Sequence, residues 1–135
     1  MRTCLLWISL LCVCLNMSAQ TLFPRQKGDK ARFTATIEMK KAYVSGICIL
    51  LNDGDLVKGS LFNEFGISAL DFTYSVKKDK VKILNVIANM DKWYIKRALK
   101  KDLRAVMHEL QNGKTSYANT RYQMNYSFKP LETED

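Results

Sequence analysis

The stretch of residues 46–76 constrains the fold more than any other part of the chain, because apolar runs and turn-forming residues alternate in it regularly. The apolar runs are residues 47–51, 56–62 and 67–76, and the segments between them are Asn52-Asp53-Gly54-Asp55 and Asn63-Glu64-Phe65-Gly66. The residues of these segments tolerate tight turns, and the spacing leaves no room for crossover helices. The sequence therefore predicts a β-meander of antiparallel strands.

Further strands are predicted on both sides of this meander. Residues 32–40 alternate between apolar and polar side chains, a pattern typical of a half-buried strand. Residues 43–51 are apolar on both faces, which favours a central strand or one whose second face is covered by a helix. Residues 81–87 and 122–128 alternate again and are predicted to form two more strands.

Two glycines are expected to shape the meander. Asp53-Gly54 predicts a two-residue hairpin turn, because such a turn needs positive φ angles. Gly59 lies inside an apolar run and predicts a bulge or bend. We therefore expect the sheet to curve.

The apolar period lengthens to that of an α-helix over residues 91–112. The apolar stripe of this helix comprises Ile95, Leu99, Leu103, Val106 and Leu110, and the opposite side comprises Arg97, Lys100, Lys101, Arg104 and His108. Asp91 is placed to cap the start of the helix, and Gly113 to end it. The predicted fold is α+β and mostly β, a curved antiparallel sheet or incomplete β-barrel of about six strands with one long amphipathic helix packed across it.

Residues 1–19 have the features of a signal peptide. Arg2 precedes an apolar run over residues 4–15, and a polar segment then ends at the small residue Ala19. The apolar run is shorter than the roughly 20 residues that span a bilayer. We therefore expect an exported protein of the periplasm or outer-membrane periphery, with residues 20–135 as a single domain.

The cysteines argue against a lipid anchor and against an internal disulfide. Cys12 and Cys14 follow Leu11 and Val13, whereas a lipidated cysteine would follow a small residue. Cys48 is the one cysteine beyond the predicted signal peptide, and it lies inside an apolar strand. It is expected to be a buried core residue.

The sequence carries no recognisable catalytic motif. His108, the one histidine, lies on the charged side of the predicted helix, where a solvated residue is favoured over a general base. There is no Gly-rich phosphate loop, paired-histidine metal motif or nucleophile elbow. Asn52, Asp53 and Asp55 resemble the start of a calcium loop, but the rest of that loop is missing and a hairpin turn is preferred. We expect no enzyme, no cofactor, no metal and no nucleic-acid partner.

Residues 56–86 resemble a segment of the LolA/LolB-like outer-membrane lipoprotein-localisation superfamily. The likeness comprises an apolar strand, a turn ending in Phe65-Gly66, a strand through Leu70-Asp71-Phe72, a charged turn and another strand. A related group of small exported bacterial proteins is similar in Asn63-Glu64-Phe65-Gly66 and Asp71-Phe72, followed by a Lys-rich helix. The resemblance implies an incomplete barrel with a helical lid over an apolar cavity that holds acyl chains, with lipid or an acylated protein as the partner. This chain is shorter than those carriers.

Two candidate sites follow from these expectations. One is an apolar groove lined by inward aromatic side chains, with Trp93 at its mouth; the other inward residues are Phe62, Phe72, Tyr74, Tyr126 and Phe128. A filled core is the open alternative for these aromatics. The second candidate is the basic helix face, Arg97, Lys100, Lys101 and Arg104, which could meet an acidic envelope protein, a polyanion or an anionic membrane surface. The formal net charge of +8 suits such partners, although surplus lysine also serves solubility. The oligomeric state is not predicted.

Overall fold

A computed structural model describes residues 22–40 and 43–131, and the predicted signal peptide lies outside these residues. The described elements are β1 (Lys30–Glu38), β2 (Tyr43–Asn52), β3 (Val57–Phe62), β4 (Ser68–Ser75), β5 (Lys80–Val86), a 3-10 turn (Ala88–Met90), α1 (Trp93–Gln111), β6 (Ser116–Asn119) and β7 (Met124–Pro130). No helix among the described residues combines the length and apolar character that a membrane span requires.

The strands form one antiparallel sheet in the order β5-β4-β3-β2-β1-β7-β6. The sheet is curled into a half-barrel, and α1 contacts both edge strands, β5 and β6. The helix therefore closes the open side of the half-barrel. The predicted fold class is confirmed, with seven strands instead of about six because the short strand β6 was not predicted.

The inner face of the sheet and the apolar stripe of α1 form a single core. Phe33 packs edge-to-face against Phe128 with ring centroids 5.8 Å apart, and both side chains are buried. From α1, the predicted residues Leu99, Leu103, Val106 and Leu110 are buried, whereas Ile95 is half-buried. Each fully buried side chain of this size contributes about 1.5–3 kcal/mol.

The predicted hairpin forms at Asp53-Gly54, where Gly54 has a φ of 106°, and the sheet curves as expected, but the turn length and the role of Gly59 differ from the predictions. Asn52 pairs with Val57, so the β2–β3 loop has four residues, 53–56. Gly59 remains in register between Leu50 and Phe72, and the register shifts of the neighbouring pairs lie elsewhere. An added Cβ at Gly59 would collide with the ring of Phe72. The glycine therefore makes room for an aromatic ring instead of producing a bulge.

The helix start also differs from the prediction. The N-cap of α1 is Lys92, which makes no side-chain capping hydrogen bond. The predicted cap, Asp91, instead forms an ion pair with Lys96, with 2.9 Å between Oδ1 and Nζ. At the other end, Gly113 follows the helix with a φ of 81°, as expected of a terminating glycine.

Candidate functional site

An apolar opening lies on the outer face of the sheet, opposite α1. It is a groove of about 880 Å³ over β2, the end of β3 and the loop between β3 and β4. Its apolar lining includes Tyr43, Ile47, Ile49, Phe62 and Phe65. We call this the outer groove. Its volume falls within the range of about 300–1,000 Å³ that ligand sites occupy.

The outer groove exists because β2 is apolar on both faces. Cys48 and Leu50 point into the core and are buried. The alternate residues Ile47 and Ile49 point outwards, and Ile47 is 45% exposed because no element packs over it. α1 packs only against the inner face of the sheet. Ile47 and Ile49 therefore remain available for a ligand.

Local backbone geometry sets the wall of the groove. Gly46 lies where β2 passes the end of β3, and an added Cβ there would collide with the carbonyl oxygen of Phe62. In the next loop, Asn63 Oδ1 accepts hydrogen bonds from the backbone N–H groups of Phe65 and Ile67, each at 3.0 Å. This side-chain turn holds Phe65 outwards, where it is 78% exposed.

The polar groups of the outer groove are few. Thr34, Ser45 and Asn63 lie along its lining, and Glu64 is the one acidic or basic side chain that the described lining contains. A mostly apolar wall with a few polar groups is typical of a site for an apolar ligand.

The six aromatic residues predicted to line one groove do not all lie together. Phe72, Tyr74, Tyr126 and Phe128 are all buried in the core between sheet and helix. Phe62 lies on the other face of the sheet, in the wall of the outer groove. Trp93 is 73% exposed in the first turn of α1 and packs edge-to-face against Tyr94 with a centroid distance of 5.8 Å.

The basic helix face is exposed as the sequence indicates. Arg97, Lys100 and Lys101 are exposed, and no described carboxylate lies within ion-pair distance of their charged groups. Arg104 is also exposed, but its Nε donates to Asp79 Oδ2 at 2.9 Å. Three of the four cations are therefore free to attract an anionic partner.

Asp79 joins the β4–β5 turn to the helix. Besides Arg104, it contacts His108 Nε2 at 2.6 Å and accepts a hydrogen bond from the hydroxyl of Tyr74 at 2.8 Å. These interactions, first that with Tyr74 and then that with His108, lower the pKa of Asp79. His108 is thus half-exposed and paired with a carboxylate, and the cluster connects two elements at the surface.

A second carboxylate is buried between α1 and the sheet. Asp102 is 2% exposed, and it accepts hydrogen bonds from Asn119 Nδ2 at 2.8 Å and from the Tyr126 hydroxyl at 2.7 Å. Burial raises the pKa of Asp102, although both hydrogen bonds oppose this effect. Burial and the adjacent carboxylate also raise the pKa of Tyr126. Both oxygens of Asp102 are engaged, so the group fixes the helix against β6 and β7.

The described residues contain no group of three or more His, Cys, Asp or Glu side chains that could hold a metal ion. Cys48 is buried, as the sequence predicts, and burial raises the pKa of its thiol to about 12. Asp53, which follows β2, stabilises the β2–β3 loop, because its Oδ1 accepts a hydrogen bond from the backbone N–H of Leu56 at 3.2 Å. The described surface also carries the apolar outer groove and the exposed cations of α1.

Comparisons of the chain with protein-family models, with characterised proteins and with solved structures found no match.

Proposed function

We propose that the protein is a non-enzymatic, exported protein of the cell envelope that binds the acyl chain of a lipid or lipoprotein in the outer groove. The observation that carries this proposal is the outward apolar row of β2, in which Ile47 is exposed and Ile49 is half-buried, flanked by the half-buried Phe62. The predicted signal peptide supports export, and the resemblance of residues 56–86 to lipoprotein carriers supports the same ligand class.

The position of the groove follows from how the half-barrel is filled. A carrier of the expected kind would hold its ligand between sheet and helix, but here that space is occupied by buried side chains such as Phe72 and Leu103. The outer groove is open to solvent and mostly apolar. We therefore place the acyl chain on the outer face, across β2 and β3.

Acyl-chain length provides a direct test. Each buried CH₂ contributes about 0.8 kcal/mol, so removal of four methylenes should weaken binding by up to about 3 kcal/mol, or about 200-fold. Titration calorimetry with fatty acids of increasing length, below their micelle concentrations, measures this dependence. Native mass spectrometry of the protein purified without detergent would detect an acylated ligand that co-purifies.

A matched pair of variants localises the binding. Ile47→Glu/Ile49→Glu places charge in the outer groove and should abolish acyl binding, because a carboxylate is poorly solvated beside an acyl chain. Thr73→Glu adds a carboxylate to the outer face of β4, away from the groove lining, and should leave affinity unchanged. The proposal fails if no fatty acid binds, or if both variants lose binding equally.

A further inference from the structure

Exposed aromatic side chains collect at one end of the half-barrel. At this end β1, β3, β5 and β6 finish and β2, β4, β7 and α1 begin, as the antiparallel registers require. Of the ten large hydrophobic side chains that are exposed among the described residues, six lie here. Five of them are aromatic, and together with Ile67 we call them the aromatic rim: Tyr43, Phe65, Ile67, Trp93, Tyr94 and Tyr122.

The rim is built from separate elements that converge. Tyr43 opens β2, and Phe65 stands on the β3–β4 loop that Asn63 holds in place. Trp93 and Tyr94 open α1. Tyr122 lies in the turn between β6 and β7, with the guanidinium of Arg121 placed 5.6 Å from its ring centroid. These residues are far apart in the sequence, and the topology of the sheet brings them to the same end.

Positive charge continues from the rim along the helix. Trp93, Arg97, Lys100 and Arg104 recur at helical spacing and share the exposed side of α1. The acidic residues within α1 are elsewhere, since Asp102 is buried and Glu109 is half-buried. The exposed side of the helix therefore presents Trp93 and the cations Arg97 and Lys100, which pair with no described carboxylate, whereas Arg104 further along is paired with Asp79.

The carboxylates of this end that have no described ion-pair partner lie on the sheet side, away from α1. Glu64 belongs to the outer groove, and Glu38 lies on the outer face of β1. Asp91 is paired with Lys96. The helix side of the rim is thus the side that complements an anionic surface.

We propose that the aromatic rim and the adjoining cationic side of α1 dock the protein on the surface of an anionic phospholipid bilayer. Trp and Tyr have an apolar body and a polar tip, and they favour the boundary between headgroups and acyl chains. Lys and Arg beside them are attracted to anionic headgroups. An acidic protein or polyanion would explain the cations, but it would not account for aromatic tips spread around the end of a barrel.

This inference goes beyond the proposed acyl-chain binding and does not depend on it. The two surfaces adjoin and share Tyr43 and Phe65, which line the outer groove and also belong to the rim. A protein docked by its rim would hold one end of the groove near the bilayer.

The test uses residues 20–135, the chain expected after removal of the predicted signal peptide, because the apolar run of residues 4–15 would itself bind a bilayer. Trp93 is the one tryptophan of this chain. The protein is mixed with phosphatidylcholine vesicles prepared with or without phosphatidylglycerol. We expect binding to the anionic vesicles, a blue shift of Trp93 emission and quenching by brominated acyl chains. Added salt should weaken the binding, because it screens the attraction between lysines and headgroups.

Variants separate the rim from other apolar surfaces. In a sedimentation assay with the same vesicles, Trp93→Ser/Tyr94→Ser should lower the vesicle partition coefficient at least about ten-fold. Val76→Ser/Leu84→Ser is the matched control, because it removes exposed apolar side chains outside the rim, and it should bind like the parent chain.

Several outcomes would overturn the inference. These are absence of vesicle binding, binding with unchanged Trp93 emission, and equal loss in both variants; the last two would assign the binding to another part of the chain. Retention on immobilised heparin without vesicle binding would instead favour a polyanion. The groove variant Ile47→Glu/Ile49→Glu should still bind vesicles, so acyl-chain binding and bilayer docking can fail independently.

Discussion

Removal of the Tyr126 hydroxyl should destabilise the protein at neutral pH and much less in acid. In the native state this hydroxyl donates to Asp102 Oδ2 at 2.7 Å, and both residues are 2% exposed. Tyr126→Phe leaves the carboxylate with Asn119 as its remaining side-chain partner. A hydrogen bond to a charged group contributes about 1.5–3 kcal/mol, so we expect a loss of about 2 kcal/mol of unfolding free energy at pH 7.

The pH dependence follows from the direction of the pKa shift. The pKa of Asp102 in the folded protein lies above its ordinary value of 3.8, so the native state binds more protons than the unfolded state between these two values. The stability contribution of this group is therefore greatest below pH 3.8 and declines as pH rises through the folded-state pKa. Loss of the Tyr126 hydroxyl removes the largest opposing interaction and raises that pKa further. The parent and Tyr126→Phe curves should thus diverge towards neutral pH and converge in acid.

Urea denaturation followed by circular dichroism measures the free energy of unfolding and its dependence on pH, and thermal denaturation gives the melting temperature. At about 4 °C per kcal/mol, the melting temperature at pH 7 should fall by about 8 °C. Tyr117→Phe is the control, because this neighbouring ring lies 6.1 Å from Tyr126 but its hydroxyl does not contact Asp102. A loss below about 0.5 kcal/mol at pH 7, or a loss that does not change with pH, would refute the account of a charged, buried hydrogen bond.

Further predictions concern packing, reactivity and acid sensitivity. Gly59→Ala should cost about 1–3 kcal/mol in urea unfolding, and less on a Phe72→Leu background, because the collision is with that ring; additive effects would contradict this. Cys48 should not react with a thiol reagent until the protein unfolds, because burial raises its pKa to about 12; labelling faster than unfolding would contradict it. The lowered pKa of Asp79 contributes stability above its ordinary value of 3.8 that is lost as pH falls through the folded-state pKa, so Asp79→Asn should reduce the acid sensitivity of the melting temperature.

Much of the fold could be predicted because several local signals agree. Turn residues separate the strands of the meander, and the alternation in residues 32–40 matches the burial of β1. The helix stripe is correct from Leu99 to Leu110 because side-chain spacing alone determines a helix face. Strand β6 was missed because Ser116–Asn119 is short and contains no apolar run.

The candidate groove could not be placed from the sequence because strand faces depend on register. From the sequence, the face of β3 with Val57 and Leu61 or the face with Phe62 could have pointed inwards, because apolar residues occur at both odd and even positions of this segment. The register of β3 with β2 places Leu61 opposite Cys48 in the core and Phe62 opposite Ile47 outside. A shift by one residue exchanges the faces, so an aromatic predicted for an inner cavity lies in the outer groove instead.

The way in which the half-barrel closes explains why both proposed surfaces lie outside it. α1 contacts both edge strands, and its apolar side chains fill the space between sheet and helix. This space therefore has no room for further apolar side chains. The second apolar face of β2, including Ile47 and Ile49, remains on the outside without a cover. The same packing turns the opposite side of α1 towards solvent and fixes Trp93 at the end of the barrel. The buried hydrogen bond from Tyr126 to Asp102 fixes α1 against the sheet. The position of the aromatic rim therefore depends on the same core contact whose loss we predict to lower the free energy of unfolding.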